Sequence, residues 1–167
     1  MRHPRPLTAI DFYRSMVKPT VDEYLLETRD IRRGRLAAIV LYHMADHAAL
    51  DGYYGQAMNE RLAVMKRELI EACPDFGLIC DIADASKHSR LQVRTKAPRH
   101  ITTAGQVSRP IGMFGAPFGQ GVFNEASWVT VTFDDGRVRP LAGIVRQVLM
   151  MWEARLFPVG PFQPSEP

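Results

Sequence analysis

Residues 31–50, IRRGRLAAIVLYHMADHAAL, have the periodicity of a long amphipathic helix. Side chains that we expect to share one helical face recur at spacings of three and four, at Leu36, Ile39, Val40, His43, Met44 and His47. Such spacing is the main sequence signal of an α-helix. Asp51-Gly52 follows directly and is typical of a turn. We therefore predict a helix over 31–50 that ends at this turn.

Helical patterns continue on both sides of this segment. Residues 10–17 form a short periodic segment that we expect to stop near Pro19. Thr20-Val21-Asp22-Glu23 then matches a capping box, which predicts a second helix lasting to about residue 30. Residues 54–73, 76–87 and 141–157 repeat the spacing of three and four.

The periodicity changes from helical to alternating between residues 90 and 140. Leu91, Val93 and Thr95 alternate with polar and basic side chains, residues 101–108 are a candidate partner strand, and SWVTVTF at 127–133 has the strongest strand pattern. Asp134-Asp135-Gly136-Arg137 predicts a hairpin turn, because glycine accepts the positive φ that such turns need. Residues 112–121 contain four glycines and predict a loop.

Together these patterns predict a mainly α protein of the α+β class, a helical bundle with a small antiparallel β-sheet inserted before the C-terminal helix. We expect one domain over 1–167, because this length is ordinary for a single core. Its expected parts are a helical part at 8–89, strands and a glycine-rich loop at 90–140, a last helix at 141–157 and a frayed tail at 158–167.

The composition is close to that of an average globular protein, with 46% hydrophobic residues, 23% charged residues and a net charge of +3. No apolar run approaches the roughly 20 residues that a membrane span needs, and the N-terminus lacks the apolar stretch of a signal peptide. Cys73 and Cys80 do not form a Cys-x-x-Cys pair, so structural zinc and thioredoxin-like chemistry lack support. We expect a cytoplasmic protein with no membrane partner.

Two predicted helices carry polar side chains that would meet if the helices pack side by side. These polar candidates are His43, Asp46, Asp81, Asp84, Lys87 and His88. The subset with metal-ligating chemistry is His43, His47, Asp81, Asp84 and His88. Imidazole and carboxylate groups are ligands of catalytic zinc, manganese and iron, so a divalent metal is the candidate cofactor, with no cofactor as the alternative. The same side chains would also suit a buried hydrogen-bonded network between two helices.

Positive charge gathers at residues 29–35 and 87–100. Within the second cluster, Arg90, Arg94, Lys96 and Arg99 are candidates to contact the phosphates of RNA. No aromatic residue interleaves them, so the pattern favours contact with the nucleic-acid backbone over base stacking. The alternative is a solvated charged face without a ligand.

The polar stretches resemble two motifs of a group of uncharacterised bacterial proteins, Y-H-x-x-D and D-I-A-N-x-x-K-H. Here Tyr42, His43 and Asp46 match the first motif, and residues 81–88 match the second with Asp84 in place of asparagine. The resemblance spans about residues 8–157 and implies a helical domain followed by a hairpin and a last helix, but it implies no activity.

More distantly, the helical part is similar in style to HEPN domains, which include metal-independent ribonucleases. HEPN nucleases use an arginine and a histidine separated by four to six residues at the start of a late helix. In this chain Arg94 and His100 have that spacing, but they fall in a predicted strand and loop.

Three functions therefore stay open, and whether the protein is an enzyme stays open with them. The first is a HEPN-like module that binds nucleic acid or a protein partner. The second is a metal-dependent enzyme that uses the His/Asp cluster. The third is a structural domain that forms homo-oligomers, in which Phe114 and Phe118 of the glycine-rich loop would contact a partner.

Overall fold

The computed structural model describes residues 7–88, 90–91, 98–109 and 128–158. The helices are α1 (Ala9–Phe12), a π-helical segment (Tyr13–Val17), α2 (Lys18–Leu26), α3 (Ile31–Leu50), α4 (Met58–Ala72), α5 (Pro74–Lys87) and α6 (Leu141–Leu156). A 3-10 turn (Ala104–Gln106) precedes the strands β1 (Val107–Ser108), β2 (Thr130–Thr132) and β3 (Val138–Pro140). The predicted class, mainly α with a small antiparallel sheet before the last helix, is confirmed.

Several predicted features lie outside the described residues. They are the strand positions Val93 and Thr95, the loop at 112–121 with Phe114 and Phe118, and the tail beyond residue 158. In the part of the chain that the structure describes, no helix is both long enough and apolar enough to cross a membrane.

Helix α3 has the bounds that the sequence predicts and packs against each of the other α-helices. The side chain of Asp30 caps its start by accepting the N–H of Arg33 at 3.1 Å. Its buried stripe consists mostly of small residues, at Gly34, Ala37, Ala38, Val40, Leu41, Met44, Ala45 and Ala49. The predicted face includes Leu36 and leaves out Ala37 and Leu41. It is partly wrong, because Leu36 is exposed whereas Ala37 and Leu41 are fully buried. His43 and His47 lie beside the stripe and are half-buried.

Small residues on α3 allow neighbouring helices to approach closely. A Cβ at Gly34 would lie 2.8 Å from the side chain of Leu141 on α6 and 3.1 Å from the ring of Tyr24 on α2. Both neighbours are fully buried, so a larger residue would force them apart. The core continues through α6 to Trp152, whose ring contacts Phe76 of α5 edge to face at 6.1 Å.

The N-terminal helical region is continuous over residues 9–26, and the predicted break near Pro19 is wrong. The capping box lies at Thr8, whose hydroxyl accepts the N–H of Asp11 at 3.1 Å while the Asp11 carboxylate accepts the N–H of Thr8 at 3.3 Å. The predicted capping residue, Thr20, lies inside α2. Pro19 is tolerated because it occupies the first turn of α2, directly after the π-helical segment.

The sheet has the order β1-β2-β3, with both strand pairs antiparallel. The predicted hairpin turn is confirmed, since Gly136 has φ +85° and the N–H of Phe133 donates to the carbonyl of Arg137 at 2.8 Å. Within the predicted strand at 101–108, Ala104–Gln106 form a 3-10 turn, Val107–Ser108 pair with β2, and Thr103 forms an isolated antiparallel bridge with Arg90.

Two arginines tie the sheet to the helices. Arg35 of α3 donates to the carbonyls of Ala104 at 2.9 Å and Val107 at 3.3 Å. Arg139 of β3 makes a bidentate ion pair with Asp75 in the first turn of α5, at 2.7 and 2.8 Å. Arg35 belongs to the basic cluster at 29–35, so one guanidinium of that cluster is engaged in hydrogen bonds within the protein.

Candidate functional site

The polar residues predicted to converge on one pocket are divided mainly among three places, two of which share Asp46. Asp81 and Asp84 contact Arg99. His43 and Asp46 lie beside Lys66 of α4. His47 packs on Phe12 of α1 and faces a cleft at the end of α3. Each place has different chemistry.

The first place is a buried ion cluster that joins residues 99–100 to α5. Nη1 of Arg99 lies 2.9 Å from Oδ1 of Asp81 and 3.1 Å from Oδ2 of Asp84. The backbone N–H of His100 donates to the other oxygen of Asp81 at 2.8 Å. Burial raises the pKa of Asp81, while the His100 amide and the Arg99 charge oppose that rise. Both oxygens of Asp81 and one oxygen of Asp84 are therefore engaged from within the chain, which ties residues 99–100 to α5.

Lys87 and His88 do not extend this cluster towards a metal site. Both are exposed at the end of α5, where the N–H of His88 donates to the carbonyl of Asp84 at 2.9 Å. Among the described residues, no group of three or more His, Cys, Asp or Glu side chains is placed to hold a metal ion. The five predicted ligands therefore do not form the single site that their spacing suggested, because Arg99 occupies the carboxylates and the two histidines point to different neighbours.

The residues proposed to contact RNA are also divided. Arg90 is exposed, whereas Arg94 and Lys96 lie outside the described residues. Arg99, with a side chain only 8% exposed, is held in the buried ion cluster and is not presented to a ligand. His100, the histidine with HEPN-like spacing, lies in a bend rather than at the start of a helix.

The second place is a polar network between α3 and α4. Nζ of Lys66 donates to the hydroxyl of Tyr42 at 2.8 Å and lies 3.8 Å from Oδ1 of Asp46. Oδ2 of Asp46 lies 3.2 Å from Nδ1 of His43. Burial works against the charged form of Lys66, but the Tyr42 hydroxyl and the Asp46 charge raise its pKa overall. Asp46 is therefore shared by an imidazole and an ammonium group.

Cys80 of α5 directly precedes Asp81 and is influenced electrostatically both by the carboxylates of the ion cluster and by Lys66. Burial raises the pKa of its thiol to about 12, with Asp81 and Asp84 adding to the rise and Lys66 opposing it. A thiol with so high a pKa is protonated at neutral pH and is a poor nucleophile. Cys80 is therefore a packed thiol with little nucleophilic character near neutral pH.

The third place is a cleft of about 490 Å³ where the start of α1 meets the end of α3 and the loop that follows it. Its lining includes Leu7, Asp46, His47, Asp51, Tyr53 and Tyr54. Oδ2 of Asp51 accepts the N–H of Ala9 at 3.0 Å, which joins the two sides of the cleft. Asp46 belongs both to this cleft and to the network with Lys66.

His47 forms part of the cleft wall in its neutral form. Its ring stacks on Phe12 with centroids 3.8 Å apart and an interplanar angle of 11°. Burial lowers the pKa of His47, and Asp46 and Asp51 offset only part of this effect. The imidazole is therefore uncharged at neutral pH and contributes a flat, weakly polar surface.

Two tyrosines in the loop after α3 complete the cleft. The hydroxyl of Tyr53 accepts the N–H of Ala57 at 3.1 Å, and the guanidinium of Arg61 lies 4.4 Å from the centre of its ring. Arg61 also donates to the carbonyl of Ala49 at 3.0 Å, so Tyr53 is held in place. Tyr54, in contrast, is 86% exposed. An aromatic side chain this exposed has a ring free to contact a ligand.

Sequence reasoning missed Lys66 and both tyrosines. The only local signal for the cleft was the succession of His47, Asp51 and two tyrosines, because the opposite wall comes from residues 7–8, more than 35 positions earlier. Chemically, the cleft combines two carboxylates, one neutral imidazole and two phenols. Comparison of the chain with protein-family models, curated proteins and solved structures finds no match in any of the three.

Proposed function

We propose that the protein is a partner-binding module that receives a segment of another protein in the cleft at the end of α3. The observation that carries this proposal is the cleft itself, whose lining includes the exposed Tyr54. Its volume of about 490 Å³ falls in the range typical of binding pockets. Exposed tyrosines are enriched at protein interfaces, because they offer a large apolar surface together with a polar hydroxyl.

The charges favour a protein over RNA as the partner. The cleft presents the carboxylates of Asp46 and Asp51, which repel phosphate groups. Arg99, one of the four candidate phosphate contacts, is committed to Asp81 and Asp84. This proposal keeps the partner-binding alternative of the HEPN-like hypothesis and gives it a location.

We also propose that this binding takes place in the cytoplasm. Cys73 and Cys80 are both free, and unpaired cysteines are typical of proteins that stay in a reducing compartment.

The proposal is tested by selecting random displayed heptapeptides on the immobilised protein, with Tyr54→Ala and Leu26→Ala as paired variants. Leu26 is a matched control because it is 87% exposed and lies beyond the far end of α3, a helix about 30 Å long. We expect peptides that bind the wild type and Leu26→Ala equally and lose most of their affinity for Tyr54→Ala, with unchanged thermal stability.

Two outcomes would overturn the proposal. Selected peptides that bind Tyr54→Ala as well as the wild type would place binding elsewhere. Tight, salt-sensitive binding of a fluorescent 12-nucleotide RNA, with no peptide enriched, would identify a nucleic-acid module instead.

A further inference from the structure

Among the described residues, the negative charge of the cleft's carboxylates is only partly balanced by neighbouring groups. Asp46 already lies near two basic groups, Lys66 at 3.8 Å and His43 at 3.2 Å. Asp51, however, accepts only a neutral backbone N–H from Ala9, and within the described residues it has no ion pair. His47 adds no positive charge near neutral pH because burial lowers its pKa. Among the described residues, Asp51 is therefore an exposed carboxylate of the cleft without an ion pair, which a cationic ligand can complement.

The rest of the lining suits the stem of a long basic side chain. Leu7 and Tyr54 provide exposed apolar and aromatic surface beside Asp51. Aromatic rings attract ammonium and guanidinium groups through their electron-rich faces. The neighbouring Tyr53 already binds one such group within the chain, since the guanidinium of Arg61 lies 4.4 Å from its ring centre. Lysine and arginine combine an aliphatic stem, which suits Leu7 and Tyr54, with a cationic end, which suits Asp51.

We infer that the group received by the cleft is a lysine or arginine side chain of the partner, with its cationic end at Asp51 and its stem along Leu7 and Tyr54. This inference rests on the proposed function, because it names the chemistry of a ligand for the same cleft. It commits to a peptide as the source of the cation, and a free amine is an outcome of the test.

The test measures amide chemical shifts of the ¹⁵N-labelled protein during titration with blocked pentapeptides, Ac-Gly-Ser-X-Ser-Gly-NH2, in which X is lysine, norleucine or glutamate. A fourth titration uses n-butylammonium, which has the cation and the stem without a peptide backbone. We expect the lysine peptide to shift the amides of residues 46–54 and to bind about tenfold more tightly than the norleucine peptide.

Charge variants at the rim make the test specific. Leu7 is 54% exposed, so Leu7→Lys and Leu7→Glu alter the charge of the cleft without removing core packing. Leu7→Lys is expected to bind the lysine peptide about tenfold less tightly than Leu7→Glu does, whereas the two variants, which lose the same apolar surface, should bind the norleucine peptide equally. Leu26→Lys and Leu26→Glu carry the same changes of charge far from the cleft and should alter neither peptide's affinity.

The possible outcomes separate this inference from the proposed function. Equal binding of the lysine and norleucine peptides at the cleft would overturn the inference and leave the cleft as a binding site. Tighter binding of the glutamate peptide than of the lysine peptide would also overturn the inference and leave the cleft as a binding site. Binding of n-butylammonium as tight as that of the lysine peptide would identify a small amine as the ligand. If no probe shifts the cleft amides and no displayed peptide is enriched, the proposed function fails as well.

Discussion

Replacement of Arg99 by alanine is expected to destabilise the protein by about 3 kcal/mol. The Arg99 side chain is 8% exposed and contacts Asp81 and Asp84 at 2.9 and 3.1 Å, and Asp81 is itself 8% exposed. Removal of one partner of a buried ion pair costs about 3–5 kcal/mol, because the remaining charge stays buried and unpaired. We expect the lower end of this range, since the amide of His100 still donates to Asp81 and Asp84 is closer to solvent.

Urea unfolding followed by circular dichroism measures this loss directly, and thermal unfolding provides a second readout. For a chain of this length, a loss of about 3 kcal/mol corresponds to a fall of roughly 6–12 °C in Tm. The double variant Arg99→Ala/Asp81→Asn should recover part of the loss, because a neutral amide needs no cation beside it. Arg137→Ala is the control, since its ion pair with Asp135 at 2.7 Å is exposed and should contribute little.

An Arg99→Ala variant that unfolds at the same urea concentration as the wild type would refute the structural role of the ion cluster. Asp81 and Asp84 would then tolerate burial without the charge of Arg99. A double variant that is less stable than Arg99→Ala alone would contradict the assignment of the lost stability to an unpaired Asp81 charge.

Three further predictions concern other parts of the structure. Burial lowers the pKa of His47 below 6.5, so the contribution of the neutral imidazole to stability is complete above pH 6.5 and is lost as the pH falls. His47→Gln should therefore flatten the decline in unfolding free energy between pH 7 and 5.5. Gly136→Ala should cost about 1–2 kcal/mol in urea unfolding, because φ is +85° there, and an unchanged midpoint would contradict the turn geometry. Arg139→Lys should lower stability by about 1 kcal/mol through loss of the bidentate pair with Asp75, whereas Arg137→Lys at the exposed pair should not.

The features predicted well from the sequence are those set by neighbouring residues. The bounds of α3 follow from its periodicity and from the Asp51-Gly52 stop signal. The hairpin between β2 and β3 follows from the φ that Gly136 adopts. In each case the deciding interactions join residues a few positions apart, which is the range over which sequence patterns carry information.

The features predicted poorly depend on partners far apart in the sequence. The π-helical segment before Pro19 has no simple sequence signature, so the sequence pattern predicts a helix end at a proline that the helix in fact accommodates. Helical spacing predicts that Asp81 faces histidines of a neighbouring helix, but its partner is Arg99, 18 positions later in a non-helical segment. Lys66 donates a hydrogen bond to Tyr42, which lies 24 positions earlier in the sequence. Asp51 accepts one from the backbone of Ala9, which lies 42 positions earlier.

Site-specific photocrosslinking tests partner binding at the cleft most directly. A display-selected peptide that carries a benzophenone side chain at its centre is irradiated with the wild-type protein, and the crosslinked residues are identified by mass spectrometry. We predict crosslinks to residues 7–8 and 46–54, strongly reduced in Tyr54→Ala and unchanged in Leu26→Ala. Crosslinks confined to other surfaces, such as the exposed side of α6 around Met150, would contradict a binding site at the end of α3.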